Sequence, residues 1–257
     1  MVFGEAVEQY EAARPGYPEA LVADVLAFAG PGRPVLEVGA GTGKATTSFA
    51  AHGLDLTCLE PDARMADRLA GRFAADPRVS VEVVAFEEWT PARRYGLLFS
   101  AQAWHWIDPA RSWDLAHAAL EPGGSLALFW NAFGVADAAL FAALAAVNRR
   151  YGTDPSHIPH GAPAESLAGD IEVGGDWPAA QLAGDTRFTD HVNRRYRGRH
   201  SYTSAGYLDL LTSISEYRMM PDTARAAALA HVARTIDDHG GTIELAAVTD
   251  LFLARTV

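Results

Sequence analysis

The sequence is poor in cysteine and in positive charge. It has one cysteine, Cys58, among 257 residues, which excludes an internal disulfide framework and is typical of a reducing compartment. Lys and Arg number 21 against 32 Asp and Glu, so the formal net charge is -11. A dedicated nucleic-acid binder presents a basic face, so this balance disfavours that class. It also disfavours binding to anionic membrane surfaces.

From the sequence we also expect no leader, no membrane span and no metal site. The first residues, "MVFGEAVEQYEAARPGYP", lack the basic and apolar regions of a signal peptide. The longest apolar segment, residues 125–148, is interrupted by polar residues and a glycine, which favours strand, loop and helix over a membrane span. His157 and His160 have no ligating partner at a recognised spacing, so no metal is assigned. We expect a cytoplasmic protein with no membrane or nucleic-acid partner.

Strand-like and helix-like segments alternate through the first half of the chain. The expected strands are "VLEV", "LDLTCLE", "VSVEVVA", "YGLLFSAQA" and "SLALFWN". The segments between them have helical periodicity, and Asp62 is an expected helix N-cap. This alternation predicts right-handed crossovers and a parallel sheet with helices on both faces. In such a sheet, ligands bind outside the carboxyl ends of the strands where the strand order reverses.

The second half has a different rhythm. A helix over "ADAALFAALAAVNRRYG" precedes a stretch of little periodicity, Gly152 to Gly184, and then β-like alternation in "TRFTDHVNRRYRGRHSY". Two helical segments and a closing strand, "TIELAAVTDLFLARTV", follow. We expect this half to add strands to the same sheet and helices over its ligand edge. The prediction is one domain over 1–257, with N-terminal lid helices (1–34), a cofactor-binding core (35–131), and cap insertions with C-terminal strands (132–257).

The loop after the first strand, "GAGTGK" at residues 39–44, is similar to two phosphate-binding patterns and matches neither. A triphosphate loop requires a glycine where this chain has Val38, and Ser or Thr where it has Ala45. In the dinucleotide pattern the third glycine comes one residue later than here. Glu37 precedes the first glycine by two residues, and its side chain is expected near the mouth of the loop. A carboxylate there would repel a pyrophosphate and would suit a cationic ligand end.

Glu60 ends the second strand, 17 residues after Gly43. An acidic side chain at this place accepts both hydroxyls of a ribose in dinucleotide-binding folds. The pattern therefore predicts a ligand with a ribose, no phosphates, and a positive charge beside Glu37.

These motifs resemble those of the class I S-adenosylmethionine-dependent methyltransferases. "VLEVGAGTG" is similar to their first motif, "CLEPD" to their acidic second-strand end, and "LEPGGSLALFWN" to their fifth-strand region. A closer resemblance links "YEAARPGYP" and "SAQAWHWIDP" to the trans-aconitate methyltransferase-like, small-molecule branch. The family implies a Rossmann-like α/β fold with a seven-stranded, mainly parallel sheet and a helical cap. It also implies methyl transfer, S-adenosylmethionine as cofactor and S-adenosylhomocysteine as product.

The resemblance also implies which residues bind the cofactor. The glycines would admit its methionine part, Glu37 would lie near its ammonium, and Glu60 would hold the ribose. At Ala85 and Phe86, expected to end the third strand, the family often has an Asp that binds adenine, so Glu87 is a replacement acceptor. The expected cofactor-binding residues are Glu37, Gly39, Ala40, Gly41, Gly43, Glu60, Pro61, Ala85, Phe86, Ser100, Ala101 and Gln102.

Three residues are candidates for catalysis. His105, in "AQAWHWIDP", is interpreted as a general base, or as a residue that orients the substrate or only makes local hydrogen bonds. Arg14 would anchor an acceptor carboxylate or the cofactor carboxylate, with Tyr10 one helical turn away; the alternative is that both latch an N-terminal lid.

Several other side chains have both a functional and a packing interpretation. Trp104 and Trp106 line the site or wedge into the sheet edge, and Tyr202 and Tyr207 line a pocket or only pack. The arginines at 194, 195, 197 and 199 form a solvated strand face, or one of them binds an acidic substrate.

The predicted function is methyl transfer to a small-molecule acceptor, with an oxygen, including a carboxylate oxygen, as the favoured atom. The assembly is expected to be a monomer or a homodimer. The alternatives are a non-catalytic S-adenosylmethionine-binding protein and, less favoured by the loop, a nicotinamide-dependent oxidoreductase.

Overall fold

The computed structural model describes residues 16–170, 178–182 and 184–257, which include a seven-stranded sheet. The strands are β1 (Val35–Val38), β2 (Leu56–Leu59), β3 (Val79–Glu82), β4 (Tyr95–Ala101), β5 (Leu120–Val135), β6 (Phe188–Thr203) and β7 (Thr242–Thr256). Their order across the sheet is β3-β2-β1-β4-β5-β7-β6. β1 pairs with β2 and β4, β2 with β3, and β4 with β5, all in parallel. The expected mainly parallel α/β sheet is confirmed.

β1 lies where the strand order reverses. β2 and β3 follow on one side of it, whereas β4 and β5 lie on the other. The register places Glu37 of β1 beside Cys58 of β2 and Phe99 of β4. In open parallel sheets, ligands bind at this reversal, outside the carboxyl ends of the strands. The fold therefore places the loop after β1 in a ligand-binding position.

Helices connect most of these strands. They are α1 (Glu19–Ala29), α2 (Lys44–Ala50), α3 (Ala63–Arg72), α4 (Ser112–Ala119), α5 (Ala138–Tyr151), α6 (Ala179–Leu182), α7 (Ser204–Thr212), α8 (Ser215–Arg218) and α9 (Asp222–Asp238). Three short 3-10 turns lie at Trp104–Trp106, Pro155–His157 and Ala164–Leu167. In the part of the chain that the structure describes, no helix is long and apolar enough to cross a membrane.

Local backbone chemistry accounts for one predicted helix end and one that was not predicted. The Asp62 carboxylate accepts the backbone N–H of Arg64 at 3.0 Å, so the expected N-cap of α3 is confirmed. Gly152, in the left-handed conformation, ends α5.

Several boundaries differ from the sequence prediction, which extended the third strand through Ala85 and began the helix before the fifth strand at Pro109. β3 ends at Glu82 because the Val84 N–H turns back to the Glu82 carbonyl at 3.1 Å, so Ala85 and Phe86 follow the strand instead of ending it. α4 begins at Ser112, because the N–H groups of Arg111 and Ser112 close a preceding turn on the Asp108 carbonyl.

One compact unit comprises residues 16–130, 178–196 (without 183) and 249–257 of the described chain. It has two apolar clusters, one containing Leu36 and Val38 and the other containing Val35 and Phe99. Neighbouring β1 residues thus fall into different clusters, as expected for a strand buried on both faces. Helix α1, expected to belong to an N-terminal lid, places Leu21 in the second cluster. The rest of the predicted lid, residues 1–15, lies outside the described residues.

The second compact unit comprises residues 131–170 and 197–248. Its core joins α5, α7, α8 and α9, and it includes Tyr207, which is fully buried. Tyr207 Oη lies 2.8 Å from His160 Nδ1, and His160 Nε2 lies 2.9 Å from Asn148 Oδ1. Because the amide oxygen only accepts, the imidazole carries its proton on Nε2 and accepts the Tyr207 hydroxyl. The packing interpretation of Tyr207 is therefore the correct one.

We predict that Asp137→Ala lowers the free energy of unfolding by about 1 kcal/mol, because Asp137 is the N-cap of α5. Its carboxylate accepts the Leu140 N–H at 2.7 Å. Urea denaturation of wild type, Asp137→Ala and Asp137→Asn measures the loss. Asparagine keeps a capping oxygen, so its cost should be well below that of alanine; equal costs would contradict the capping role.

Candidate functional site

Hydrogen bonds fix the loop after β1 against the end of β2. The N–H groups of Gly39 and Ala40 both donate to the Leu59 carbonyl, at 2.9 and 3.0 Å. The Gly43 N–H closes the loop on the Ala40 carbonyl at 3.0 Å. Gly39, Gly41 and Gly43 have φ angles of 73°, 58° and 91°, a region that favours glycine. The three glycines therefore allow a sharply turned loop at the edge of the sheet.

The three glycines face different surroundings. A Cβ added at Gly39 would come within 2.4 Å of the Ala103 Cβ, and one at Gly43 within 2.5 Å of Leu69 Cδ1. A Cβ at Gly41 would meet nothing within 4 Å. Internal packing thus requires glycine at Gly39, whereas at Gly43 the left-handed backbone and the nearby Leu69 methyl group favour it. Gly41 instead faces open space into which a ligand can approach the backbone.

The Glu60 carboxylate is held beside this open space by two backbone amides. Its Oε2 accepts the Gly41 N–H at 2.8 Å, and its Oε1 accepts the Asp62 N–H at 2.9 Å. Glu60 is 6% exposed, and burial raises its pKa above the ordinary value, against the effect of the two amides. Each carboxylate oxygen has a further lone pair, so the group is oriented and can still accept hydroxyl donors. Pro61, next to it, is exposed.

Glu37 does not extend toward the mouth of the loop as the sequence analysis expects. It is 1% exposed, and its Oε2 accepts the Thr46 hydroxyl of α2 at 2.5 Å and the Cys58 thiol at 3.6 Å. Burial raises its pKa to about 8, so the carboxyl is largely protonated at neutral pH. The electrostatic argument against a pyrophosphate therefore loses its support. An effect of Glu37 on the ammonium group of a ligand stays a prediction. Because Glu37 is buried, it would act indirectly, through the glycine loop.

Thr42 is a residue of the glycine loop that the sequence analysis did not single out. It is 1% exposed, and its Oγ1 has no hydrogen-bond partner among the described residues. Buried polar atoms without partners are rare in native proteins and require an explanation. Its Oγ1 has almost no accessible surface, so a ligand does not reach it in the conformation described. Nothing in the sequence marked this residue, because a threonine in a glycine loop is ordinary.

Some polar groups of the residues at the end of β4 make hydrogen bonds to neighbouring strands. The Ser100 hydroxyl, fully buried, donates to the Val38 carbonyl at 2.8 Å. Gln102 has a φ of 60°, rare for a residue with a side chain, and its N–H donates to the Phe129 carbonyl at 3.0 Å. Strained backbone of this kind concentrates at functional sites. Ala101, between them, is half-buried.

The expected adenine-side residues lie in the turn after β3. Phe86 is 4% exposed and packs in the core, with its ring 6.0 Å from that of Trp104. Ala85 is half-buried. Glu87, the expected replacement acceptor, receives the Asp108 N–H on its Oε1 at 2.9 Å. An adenine contact from any of these residues stays a prediction.

His105 lies in the turn that follows β4. Its Nδ1 accepts the indole N–H of Trp130 at 3.4 Å. His105 and Trp106 are exposed, the latter by 67%, so Trp106 does not wedge into the sheet edge, whereas Trp104 is buried. Tyr10 and Arg14 lie outside the described residues.

The arginines of β6 have acidic partners. Two of these ion pairs fall in the first unit and two in the second: Arg194 with Asp24 at 2.5 Å, Arg195 with Asp250 at 2.6 Å, Arg197 with Asp170 at 3.2 Å, and Arg199 with Glu244 at 2.7 Å. This arrangement favours the interpretation as a neutralised strand face over an anion-binding site.

Comparison with known sequences identifies the region that contains this site. Residues 35–124 match the family model described as "Methyltransferase domain". Uncharacterized methyltransferases of Mycobacterium bovis and Mycobacterium tuberculosis are 41% identical over 129 residues, 50% of this chain and 51% of theirs. The chain therefore spans about half the length of the curated relatives that it matches.

Solved structures share the fold over nearly the whole chain. A candidate type II methyltransferase from Anaeromyxobacter dehalogenans has a TM-score of 0.61 at 21% identity, covering 94% of this chain and 97% of its own. The phosphoethanolamine N-methyltransferase 2 of Haemonchus contortus, solved with phosphomonomethylethanolamine and S-adenosylhomocysteine, has a TM-score of 0.52 at 14% identity. That match covers 98% of this chain and 57% of the other. At these identities the likeness shows the fold alone.

We predict that Glu37→Gln stabilises the protein increasingly as pH rises. The folded-state pKa of about 8 lies above the ordinary 4.5, so the folded wild type keeps a proton that the unfolded chain releases between these values. Wild-type stability relative to the variant should fall by about 1.4 kcal/mol per pH unit in this window. Urea denaturation of both proteins at about pH 5 and about pH 8 measures it. A difference independent of pH would contradict the buried, protonated carboxyl.

Proposed function

We propose that the chain carries a class I S-adenosylmethionine-dependent methyltransferase domain, with S-adenosylmethionine as its cofactor, and that it methylates a small-molecule acceptor. The observation that carries the proposal is the pairing of Gly41, which faces open space, with a fixed Glu60 carboxylate. The ribose of S-adenosylmethionine would bind the carboxylate, and its methionine part would approach the Gly41 backbone. We also propose that the protein is cytoplasmic and is a monomer or a homodimer.

The residues around the loop are suited to the cofactor in different ways. Glu60 would accept the two ribose hydroxyls while its backbone amides keep it oriented. Gly41 would let the methionine part of the cofactor approach the backbone. When bound, S-adenosylmethionine supplies an electrophilic methyl group on a sulfonium. We further propose that the remaining predicted residues form the walls of the cofactor site: Gly39, Ala40, Gly43, Pro61, Ala85, Phe86, Ser100, Ala101 and Gln102. Glu37 would lie behind the glycine loop.

His105 is better suited to orient an acceptor than to deprotonate it. Because its Nδ1 accepts the Trp130 N–H, the neutral imidazole carries its proton on the other nitrogen. A hydrogen-bond donor at this place would align an acceptor oxygen, and alignment supplies much of the rate in a displacement. A carboxylate acceptor would need no base but would need an anchoring cation. Arg14, with Tyr10, keeps that proposed role, since the β6 arginines already have acidic partners.

Two measurements test the proposal as a whole. Titration calorimetry should show binding of S-adenosylhomocysteine and none of an oxidised nicotinamide dinucleotide; the reverse result would assign the protein to another class. A panel of small acids and phenols, incubated with a tritiated methyl donor, should yield a labelled product. Binding of S-adenosylhomocysteine with no transfer to any acceptor would instead favour the non-catalytic binding protein.

We predict that Glu60→Ala weakens S-adenosylhomocysteine binding roughly 5- to 150-fold, because the ribose hydroxyls lose a charged acceptor. Calorimetry provides the affinity, and thermal denaturation reports whether the variant is folded. Glu88→Ala, at an exposed carboxylate in the next loop, is the matched control and should bind as the wild type does. Unchanged affinity in a folded Glu60→Ala protein would remove Glu60 from the site.

We predict that Gly41→Ala mainly weakens S-adenosylhomocysteine binding, whereas Gly39→Ala mainly lowers the stability of the fold. Gly41→Ala places its methyl group in open space, so it should cost about 1–2 kcal/mol of stability through its φ angle and lose S-adenosylhomocysteine binding. Gly39→Ala adds a collision with Ala103 to a similar strain, so it should destabilise the fold more. Thermal denaturation and calorimetry on both variants measure these effects. Wild-type affinity in Gly41→Ala would show that no ligand approaches that backbone.

A further inference from the structure

A buried carboxyl group joins the two ends of the glycine loop. Glu37 is the third residue of β1, and its Oε2 accepts the Thr46 hydroxyl, in the first turn of α2, at 2.5 Å. The loop lies between these two residues, and the Gly41 N–H in its middle donates to Glu60 at 2.8 Å. Glu37 is 1% exposed, so a ligand at the loop does not touch it in the conformation described. A charge on that ligand would act on Glu37 through space, and salt screens buried groups little.

The surroundings of Glu37 act on its proton in opposite directions. The Thr46 hydroxyl, the Thr46 backbone N–H and the Cys58 thiol all donate to the carboxyl, and such donors favour its ionised form. Burial and the negative charge of Glu60 favour the protonated form, and they prevail, with a pKa of about 8. Because donors for the ionised form are already in place, one additional positive charge nearby can change the protonation of Glu37.

The titratable groups packed around Glu37 are both acidic and basic. From β2 come Cys58, which is beside Glu37 in the sheet, and Glu60, directly after the strand. The neighbour in β4 is a phenylalanine, which does not ionise. Lys44 begins α2 and is half-buried, and Arg72 of α3 is exposed and donates to a threonine hydroxyl of α2 at 3.3 Å. Burial and Glu60 are the influences that keep the proton on Glu37.

The proposed cofactor and its product differ by one charge. S-adenosylmethionine carries a positive sulfonium, whereas the sulfur of S-adenosylhomocysteine is neutral, and the amino acid part is the same in both. A positive charge near a carboxyl group stabilises its ionised form and lowers its pKa. The two ligands should therefore affect the proton of Glu37 differently.

We propose that Glu37 distinguishes the charged cofactor from its product: S-adenosylmethionine displaces the proton of Glu37 on binding, whereas S-adenosylhomocysteine largely leaves it in place. The inference rests on the proposed function, because both ligands must bind at the glycine loop. By linkage, ionised Glu37 strengthens the binding of S-adenosylmethionine by the same factor. When the methyl group leaves, the site loses one positive charge, so Glu37 takes a proton from the solvent again. The preference for the charged ligand is then lost, which favours product release.

Calorimetry on the full chain counts the protons released on binding. Each ligand is titrated at about pH 7.5 in phosphate and in Tris, whose ionisation enthalpies differ, and the difference in observed enthalpy gives the number of protons. If the sulfonium lowers the pKa of Glu37 by about one unit, S-adenosylmethionine should release about 0.5 proton more than S-adenosylhomocysteine. The dissociation constant of the product, divided by that of the cofactor, should rise about threefold between about pH 6 and about pH 7.5.

Two variants and one control assign the proton to Glu37. Glu37→Gln has the shape of the protonated form and cannot ionise, so the extra proton release and the threefold rise should both disappear. Titration of the ligands' own groups remains in this variant, so the difference from the wild type isolates Glu37. Thr46→Val removes a donor to the ionised form and should at least halve the extra proton release. Glu88→Gln makes the same change at an exposed carboxylate and should behave as the wild type does.

The possible outcomes separate this inference from the proposed function. Equal proton release by the two ligands in the wild type would overturn the inference alone. Extra release that persists in a Glu37→Gln protein, shown to be folded by thermal denaturation, would also overturn it and assign the proton to another group. Should Glu37→Gln fail to fold, unchanged release in a folded Thr46→Val protein would overturn it instead. Failure of both ligands to bind would overturn the proposed function together with this inference.

Discussion

The carboxylate of Glu60 joins the two segments on which the site depends. It binds the Gly41 N–H of the loop after β1 and the Asp62 N–H at the start of α3. The Leu59 carbonyl, one residue earlier, accepts the N–H groups of Gly39 and Ala40. The end of β2 thus orients the glycine loop through four hydrogen bonds to backbone amides, three of them from the loop. The open face of Gly41 and the burial of Thr42 both follow from that arrangement.

Much of the fold was predictable because its signals are local. Parallel strands buried on both faces are short apolar runs, and "VLEV" corresponds to β1 without any shift. Asp62 and Gly152 mark helix ends through their own backbone chemistry. The end of β3 was missed because the turn at Val84 depends on one hydrogen bond to Glu82, which periodicity does not reveal.

The sequence indicated site residues whose position in the strand-and-loop pattern suggests their chemistry. It did not indicate side-chain orientations that depend on packing between distant residues. Glu60 was singled out because an acidic residue at the end of the second strand holds a ribose in dinucleotide-binding folds, and that role stays a prediction. Glu37 was assigned to the loop mouth, but a strand buried on both faces directs alternate side chains to opposite layers, and this one points toward Thr46. The Gly39 contact with Ala103 joins residues distant in sequence, so no pattern could show it. The closer link to the trans-aconitate methyltransferase-like branch stays a prediction.

A crystal structure with S-adenosylhomocysteine tests the central claim most directly. We predict both ribose hydroxyls within hydrogen-bond distance of the Glu60 carboxylate and the methionine-derived part of the ligand against the Gly41 backbone. Glu60 should keep its bonds to the Gly41 and Asp62 amides, because these orient it before the ligand binds. A ligand bound with its ribose away from Glu60, or a Gly41 backbone that no ligand atom approaches, would contradict the account.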